Sequence, residues 1–276
     1  MTDRRLTPAN GRVAAARLEG EVEAELFTDG APATVSIPVA DLLRAPGGAR
    51  DRQVIRGETL TVYERRDGWA FVEAAKDGYV GYVTEAALGP YIEATHIVSV
   101  PATHLYPVAD LKRHEAAHLS FGSRLRVVSA AGNFFETEEG QFVPKPHVRP
   151  ANRPFTDPAT IAQLFFGVPY LWGGNSILGI DCSGLVQAAL SACGIACPGD
   201  SDLQEAALGR ALAEDEPLQR GDLVFWKGHV AMAVDPDTLI HANGFTMSVA
   251  YERAEDAIAR IESQGEGPVT SRRRYL

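Results

Sequence analysis

Long apolar runs are missing from this chain of 276 residues, and with them any stretch of the roughly 20 consecutive apolar residues that a membrane-spanning helix needs. Arg4 and Arg5 have no apolar segment behind them, so the start of the chain does not read as a secretory leader, and a cytoplasmic location is expected. Basic residues are outnumbered, 26 Lys and Arg against 36 Asp and Glu, for a net charge of −10. That balance excludes the cationic surface that nucleic acids and anionic membranes select, and it suits a ligand with a free amine. Cysteine is scarce. Three residues, an odd number, fit a reducing compartment rather than a disulfide framework. Two pairs have metal-like spacing, His114 with His118 and Cys193 with Cys197, but they fall in different expected domains and neither has a second pair nearby; no metal or cofactor is expected. With 45% hydrophobic and 22% charged residues, the chain has core enough for two or three globular domains.

One cysteine stands apart. Cys182 lies in Ile180-Asp181-Cys182-Ser183-Gly184-Leu185-Val186-Gln187, and the spacing of Leu185, Val186, Ala189 and Leu190 predicts a helix over 182–192. Cys182 then falls in the first turn, where the helix dipole favours a negative charge, and a thiolate is expected there if an imidazolium stands beside it. Upstream, Tyr170-Leu171-Trp172-Gly173-Gly174-Asn175 supplies a loop that lets a ligand approach the backbone closely. Cys193 and Cys197 read as buried filler.

Two histidines follow. His229 opens the second of two apolar runs joined by Lys227-Gly228, and His241 follows the Asp235-Pro236-Asp237 turn and the short strand 238–240. Adjacent antiparallel strands would place both imidazoles on one sheet, an arrangement suited to a base and the residue that orients it. His96, His104, His114, His118 and His147 read as structural or solvated.

The first half of the chain is β-rich. Thr59-Leu60-Thr61-Val62-Tyr63, Trp69-Ala70-Phe71-Val72 and Tyr79-Val80-Gly81-Tyr82-Val83 alternate and are separated by Asp67-Gly68 and Asp77-Gly78, the punctuation of a small barrel. Residues 95–148 contain a degenerate echo of this pattern. The proline-rich segment 149–158 reads as a linker, 12–18 as a short helix and 34–37 as a strand.

The motifs Pro169-Tyr170-Leu171-Trp172-Gly173-Gly174, Asp181 to Val186, Gly221-Asp222-Leu223-Val224-Phe225 and Gly228-His229-Val230 occur in this order, and residues 169–243 resemble the NlpC/P60 cysteine peptidases. Residues 67–83 look like a bacterial SH3 domain. The resemblance implies an α+β, papain-like catalytic domain over 151–276, preceded by an extension (1–35) and two small all-β SH3-like barrels (36–93 and 94–150). It implies Cys182 as nucleophile, His229 as general base and His241 as the polar residue that holds the imidazole. Tyr170 is a candidate oxyanion donor beside the backbone N–H of Cys182.

The family pattern Pro-Arg-x-Ser-x-x-Gln stands here as Pro198-Gly199-Asp200-Ser201-Asp202-Leu203-Gln204, without its arginine. Ser201 is either a substrate contact or part of a helix cap. Ser183 and Trp172 are further candidate substrate contacts. Asp51, Tyr82 and Asp181 are candidates to meet a substrate ammonium, and each also has a structural explanation: a solvated loop charge, a barrel core residue and a helix cap. Two function classes remain open at this point. The first is a cytoplasmic peptidase that recycles murein tripeptides or tetrapeptides with a free N-terminal L-Ala, cutting between γ-D-Glu and diaminopimelate or Lys. The second is a wall-binding SH3 protein or a thiol amidase or acyltransferase. The sequence leaves the oligomeric state open.

Overall fold

In the computed structural model, which describes residues 3–213 and 215–275, the chain divides into two compact units, Met1–Arg153 and Pro154–Leu276.

The first unit is built on a seven-stranded antiparallel sheet in the order Arg50–Ile55, Val39–Leu43, Val80–Thr84, Trp69–Ala74, Thr59–Arg66, Ala31–Val35 and Leu88–Pro90. The alternation seen in the sequence turns Val35, Leu42, Val54, Leu60, Val72 and Val83 into one core. Asp67 and Gly68 both have positive φ, 52° and 79°, the conformation a two-residue hairpin requires. Because Ala31–Val35 is a member of this sheet, the sheet begins upstream of residue 36. Arg12–Leu18, expected as a helix, instead forms a strand, Val13–Ala15, followed by a short 3₁₀ turn, Ala16–Leu18. Tertiary packing decides this: Val13 and Ala15 bury against Tyr63, Phe71 and Val80, and helix propensity gives way. Residues 96–150 form short strands in three small sheets around Val98, Leu105, Leu119, Leu125, Val143 and Val148. Arg149 and Pro150, expected in a linker, are the end of the strand Val148–Pro150.

The second unit pairs a six-stranded antiparallel sheet with helices. Its strands are β1 (Arg210–Ala211), β2 (Leu223–Trp226), β3 (His229–Asp235), β4 (Thr238–Asn243), β5 (Ser248–Arg253) and β6 (Ser271–Arg274), in the order β1-β6-β2-β3-β4-β5. The helices are α1 (Pro158–Gln163), α2 (Cys182–Ala192), α3 (Ser201–Ala207) and α4 (Ala254–Ser263). Val224, Trp226, Ala231, Ala233 and Leu239 pack with Ala257 and Ile261 of α4. The residues that alternate with them, Leu223, Phe225, Val230, Met232 and Ile240, are equally buried on the other face, where α1 and α2 contact the sheet. Burial on both faces explains why β2 and β3 read as nearly continuous apolar runs.

The entry to α2 is set by close backbone approach. A Cβ at Gly184 would stand 2.6 Å from the Gly174 carbonyl oxygen and 2.7 Å from Asn175 Oδ1. Gly174 is equally confined, 2.5 Å from the Gly179 carbonyl oxygen. The helix start is thus pressed onto the Gly-rich loop with no room for a methyl group. Gly184→Ala is expected to lower unfolding stability by about 1–3 kcal/mol, the range for overpacking a tight contact. Urea denaturation checks this, and an unchanged midpoint would mean the loop yields freely.

Candidate active site

Cys182 is the first residue of α2 and is buried. Asp181 caps the helix: its Oδ1 accepts from the Gly184 N–H at 2.6 Å and from the Ser183 hydroxyl at 3.1 Å, and its Oδ2 accepts from the Gly173 N–H at 2.9 Å. One carboxylate therefore closes the helix N-terminus and ties it to the loop that precedes it. The backbone N–H groups of Val230, Ser183 and Cys182 itself are directed at the thiol. Val230 follows His229 on β3, so the strand that starts with the imidazole also reaches the sulfur.

His229 and His241 are in hydrogen-bond contact, Nε2 of the first to Nδ1 of the second, at 2.8 Å. His241 is fully buried on β4, and its Nε2 lies 3.1 Å from Oε2 of Glu252 on β5. Glu252 in turn takes two hydrogen bonds from Arg260 of α4, Nε to Oε1 at 2.8 Å and Nη2 to Oε2 at 2.7 Å. Arg260 is covered by the Phe245 ring, 4.6 Å from its centroid. A chain of four polar side chains thus runs from His229 into the protein. Glu252 and Arg260 are not among the sequence-based candidates. The hairpin register would have found Glu252: His241 pairs with Ala250, and Glu252, two residues on, is the diagonal neighbour on the same face.

The electrostatics depart from the expected thiolate. Burial pushes the Cys182 thiol up to about 12, and the neighbouring Asp181 carboxylate adds to the rise, while the three N–H groups oppose it. Burial also holds His229 down to about 3, with the neighbouring His241 and the Arg260 guanidinium acting in the same direction and Glu252 against them. The resting pair is a neutral thiol and a neutral imidazole, because desolvation and Asp181 outweigh the helix dipole. Such a pair supports general-base attack, in which the proton leaves sulfur as the new bond forms. Burial, with the neighbouring Cys182 and Asp181 next in weight, raises the Tyr170 hydroxyl, which stays protonated as a hydrogen-bond donor.

Other candidates are placed as follows. Asp181 accepts and Ser183 donates within the helix cap, the structural role already open for Asp181 in the sequence. Ser201 opens α3 and its hydroxyl has no hydrogen-bond partner among the described residues, while Asp200 holds the N-cap without a side-chain cap bond. Gln204, fully buried, donates from Nε2 to the carbonyls of Ser183 and Pro198 at 2.9 and 3.0 Å and so ties α3 to the first turn of α2. Trp172 is 70% exposed in the Gly-rich loop. In the first unit, Tyr82 sits on the strand Val80–Thr84 with its ring 5.1 Å from that of Phe71. Asp51, expected in a loop, lies in the strand Arg50–Ile55, and its carboxylate binds Arg4 at 2.8 Å and Arg44 at 3.0 Å.

A neutral resting pair has a direct consequence. Alkylation of Cys182 by iodoacetamide, compared with a Cys182→Ser control, is expected to accelerate steadily from pH 5 to 9 (a range chosen to bracket the ordinary imidazole pKa of about 6.5). A fast plateau already reached in the acid half of that range would reveal a thiolate–imidazolium pair instead.

Known proteins share this architecture. Residues 167–261 match the NlpC/P60 family, and residues 42–88 match the bacterial dipeptidyl-peptidase SH3 domain. The γ-D-glutamyl-L-lysine dipeptidyl-peptidase of Bacillus cereus (strain ATCC 10987 / NRS 248) is 26% identical over 263 residues, covering 82% of this chain and 75% of its own length. The protein of the same name from Bacillus subtilis (strain 168) is 29% identical over 215 residues, covering 69% and 71%. In fold, the chain is similar to a crystal structure of an NlpC/P60 family protein from Bacillus cereus ATCC 10987, with a TM-score of 0.75, 23% identity, and coverage of 89% of this chain and 100% of that one. The cysteine and histidines described above lie inside the matched span, and the chain is a cysteine peptidase with an NlpC/P60 domain behind a bacterial SH3 domain.

Proposed function

We propose that this peptidase cleaves short murein peptides that carry a free N-terminal L-Ala, at the bond between γ-D-Glu and diaminopimelate or Lys, and that it serves the recycling of such fragments in the cytoplasm. The observation that carries the chemistry is the placement of Cys182 at the capped start of α2, with its sulfur met by the N–H of Val230, the residue that follows His229, whose Nε2 meets His241 Nδ1 at 2.8 Å. The substrate class is supported by the two Bacillus relatives named as γ-D-glutamyl-L-lysine dipeptidyl-peptidases, which align over most of this chain.

In this proposal, Cys182 attacks the γ-carbonyl of D-Glu while His229 takes the thiol proton, and His241 steadies the imidazolium that results. The tetrahedral oxyanion is met by the Cys182 backbone N–H and the Tyr170 hydroxyl. His229 returns its proton to the departing α-amine of the diamino acid, leaving an acyl-enzyme on sulfur. Water, deprotonated by His229, then attacks the thioester, the C–S bond breaks to release the L-Ala-γ-D-Glu product, and His229 returns the proton to the Cys182 sulfur. Ser201 and Trp172 are assigned to substrate contact in the second unit. Residues 94–150 are assigned as a second, degenerate SH3-like module, and Tyr82 of the first module as a candidate substrate contact.

The test is a panel of tri- and tetrapeptides, each with a free and an acetylated N-terminus. L-Ala-γ-D-Glu-diaminopimelate is expected to be cut once, between the second and third residues, and Cys182→Ala to abolish turnover while leaving the fold intact; His229→Ala should do nearly as much. Undiminished hydrolysis by Cys182→Ala would end the proposal. N-acetylation is expected to lower kcat/KM by about a hundredfold, the scale of one lost charge-assisted contact, and equal cleavage of both forms would remove the free-amine requirement. Tyr170→Phe is expected to reduce kcat by roughly 10²-fold, as for an oxyanion donor; full kcat would make Tyr170 a packing residue only.

A further inference from the structure

We propose that Glu252, held by Arg260, fixes the tautomers of both histidines so that His229 presents a bare Nδ1 to the thiol, which makes Glu252 and Arg260 positioning residues of the site. The inference rests on the catalytic reading above, but its starting point is proton bookkeeping along the chain of contacts.

Arg260 reaches both carboxylate oxygens of Glu252, at 2.8 and 2.7 Å. With His241, it holds this carboxyl ionised, down to about 2. An ionised carboxylate only accepts. The 3.1 Å contact from His241 Nε2 to Oε2 is therefore a hydrogen bond only if the proton sits on Nε2. A neutral imidazole carries one N–H, so His241 Nδ1 is then a lone pair. The 2.8 Å contact between that Nδ1 and His229 Nε2 in turn requires the proton of His229 on Nε2. What is left on His229 is an unprotonated Nδ1, the atom that can take the proton from Cys182. Two carboxylate-directed steps thus decide the state of an atom two side chains away.

The opposite assignment fails at both ends. A proton on His241 Nδ1 would set a lone pair against an anion and would drive the His229 proton to Nδ1, where it removes the base. Arg260 has its own part. Its guanidinium already satisfies the Glu252 charge, so His241 need not become a second cation in a fully buried position. The Phe245 ring closes over Arg260 and keeps the guanidinium directed at the carboxylate.

When His229 becomes an imidazolium during attack, both of its nitrogens donate, and Nε2 still meets the bare Nδ1 of His241. No proton has to move along the chain. The relay orients and does not transfer.

Long-range ¹H–¹⁵N NMR of the full chain with labelled histidine tests this, with His229→Gln and His241→Gln variants for assignment. At neutral pH and without substrate, both His229 and His241 are expected in the Nε2–H form. A resting His229 with its proton on Nδ1 overturns the proposal, whatever any variant does. Because no peptide is present, this readout is independent of which bond the enzyme cuts; failure of the peptide panel with the expected tautomers in place would refute the substrate and leave the relay standing. In turnover, Glu252→Gln is expected to lower kcat by on the order of 10² to 10⁴, the range between lost outer-shell support and a wrong histidine tautomer, with KM within about threefold. Glu252→Asp, which can only accept, is expected to recover much of that loss. Full kcat in Glu252→Gln, or an Asp variant no better than Gln, would show that Glu252 supports packing alone.

Discussion

The Asp181 carboxylate is the contact on which the site depends. It accepts from the first turn of α2 through Gly184 and Ser183, and from the Gly-rich loop through Gly173. A helix start leaves unpaired N–H donors, and here a single acceptor satisfies one of them while locking the segment that carries Tyr170 and Trp172 against the residue that carries the sulfur. Gly174 and Gly184 make the approach possible, since a side chain at either would meet backbone below 3 Å. The same carboxylate has an electrostatic cost, because it stands beside Cys182 and raises the thiol further than burial alone would. The geometry that positions the sulfur also keeps it protonated at rest.

That opposition gives the histidine chain its significance. A thiol that is not ionised in advance needs a base with a bare nitrogen at the moment of attack, and a buried imidazole with freely exchanging tautomers would offer one only part of the time. The sheet supplies a fixed arrangement. His229 at the start of β3, His241 within β4 and Glu252 on β5 follow one another across three adjacent strands, and Arg260 of α4 closes the row. Strands and one helix, rather than loops, set every spacing in it, which is the condition for a preorganised site.

Much of this was legible in the sequence where local chemistry was strong. The span of α2, the hairpin at Lys227-Gly228 and the turn at Asp235-Pro236-Asp237 each rest on short-range signals, and the structure has a helix over Cys182–Ala192 and strands beginning at His229 and Thr238. What escaped depends on pairing at a distance. Glu252 and Arg260 are two charges among many until the β4–β5 register sets Glu252 diagonal to His241 and α4 brings Arg260 onto it. Arg12–Leu18 carries helix formers and becomes a strand because the cluster around Phe71 takes up Val13 and Ala15. Asp51 sits between Arg50 and Arg52 in sequence, yet its partners are Arg4 and Arg44, 47 and 7 residues away. The expected thiolate failed for a related reason: position at a helix start is local, whereas burial is a property of the finished fold.

The central claim is that Cys182 carries the acyl half of a γ-D-glutamyl peptide through the reaction. Rapid acid quench during turnover of L-Ala-γ-D-Glu-diaminopimelate, followed by mass spectrometry of the digested protein, tests it most directly. The account predicts an L-Ala-γ-D-Glu acyl group on the peptide that contains Cys182, present in the wild type and missing from Cys182→Ser. An acyl group on any other residue, or an adduct that carries the diamino acid half, would contradict it.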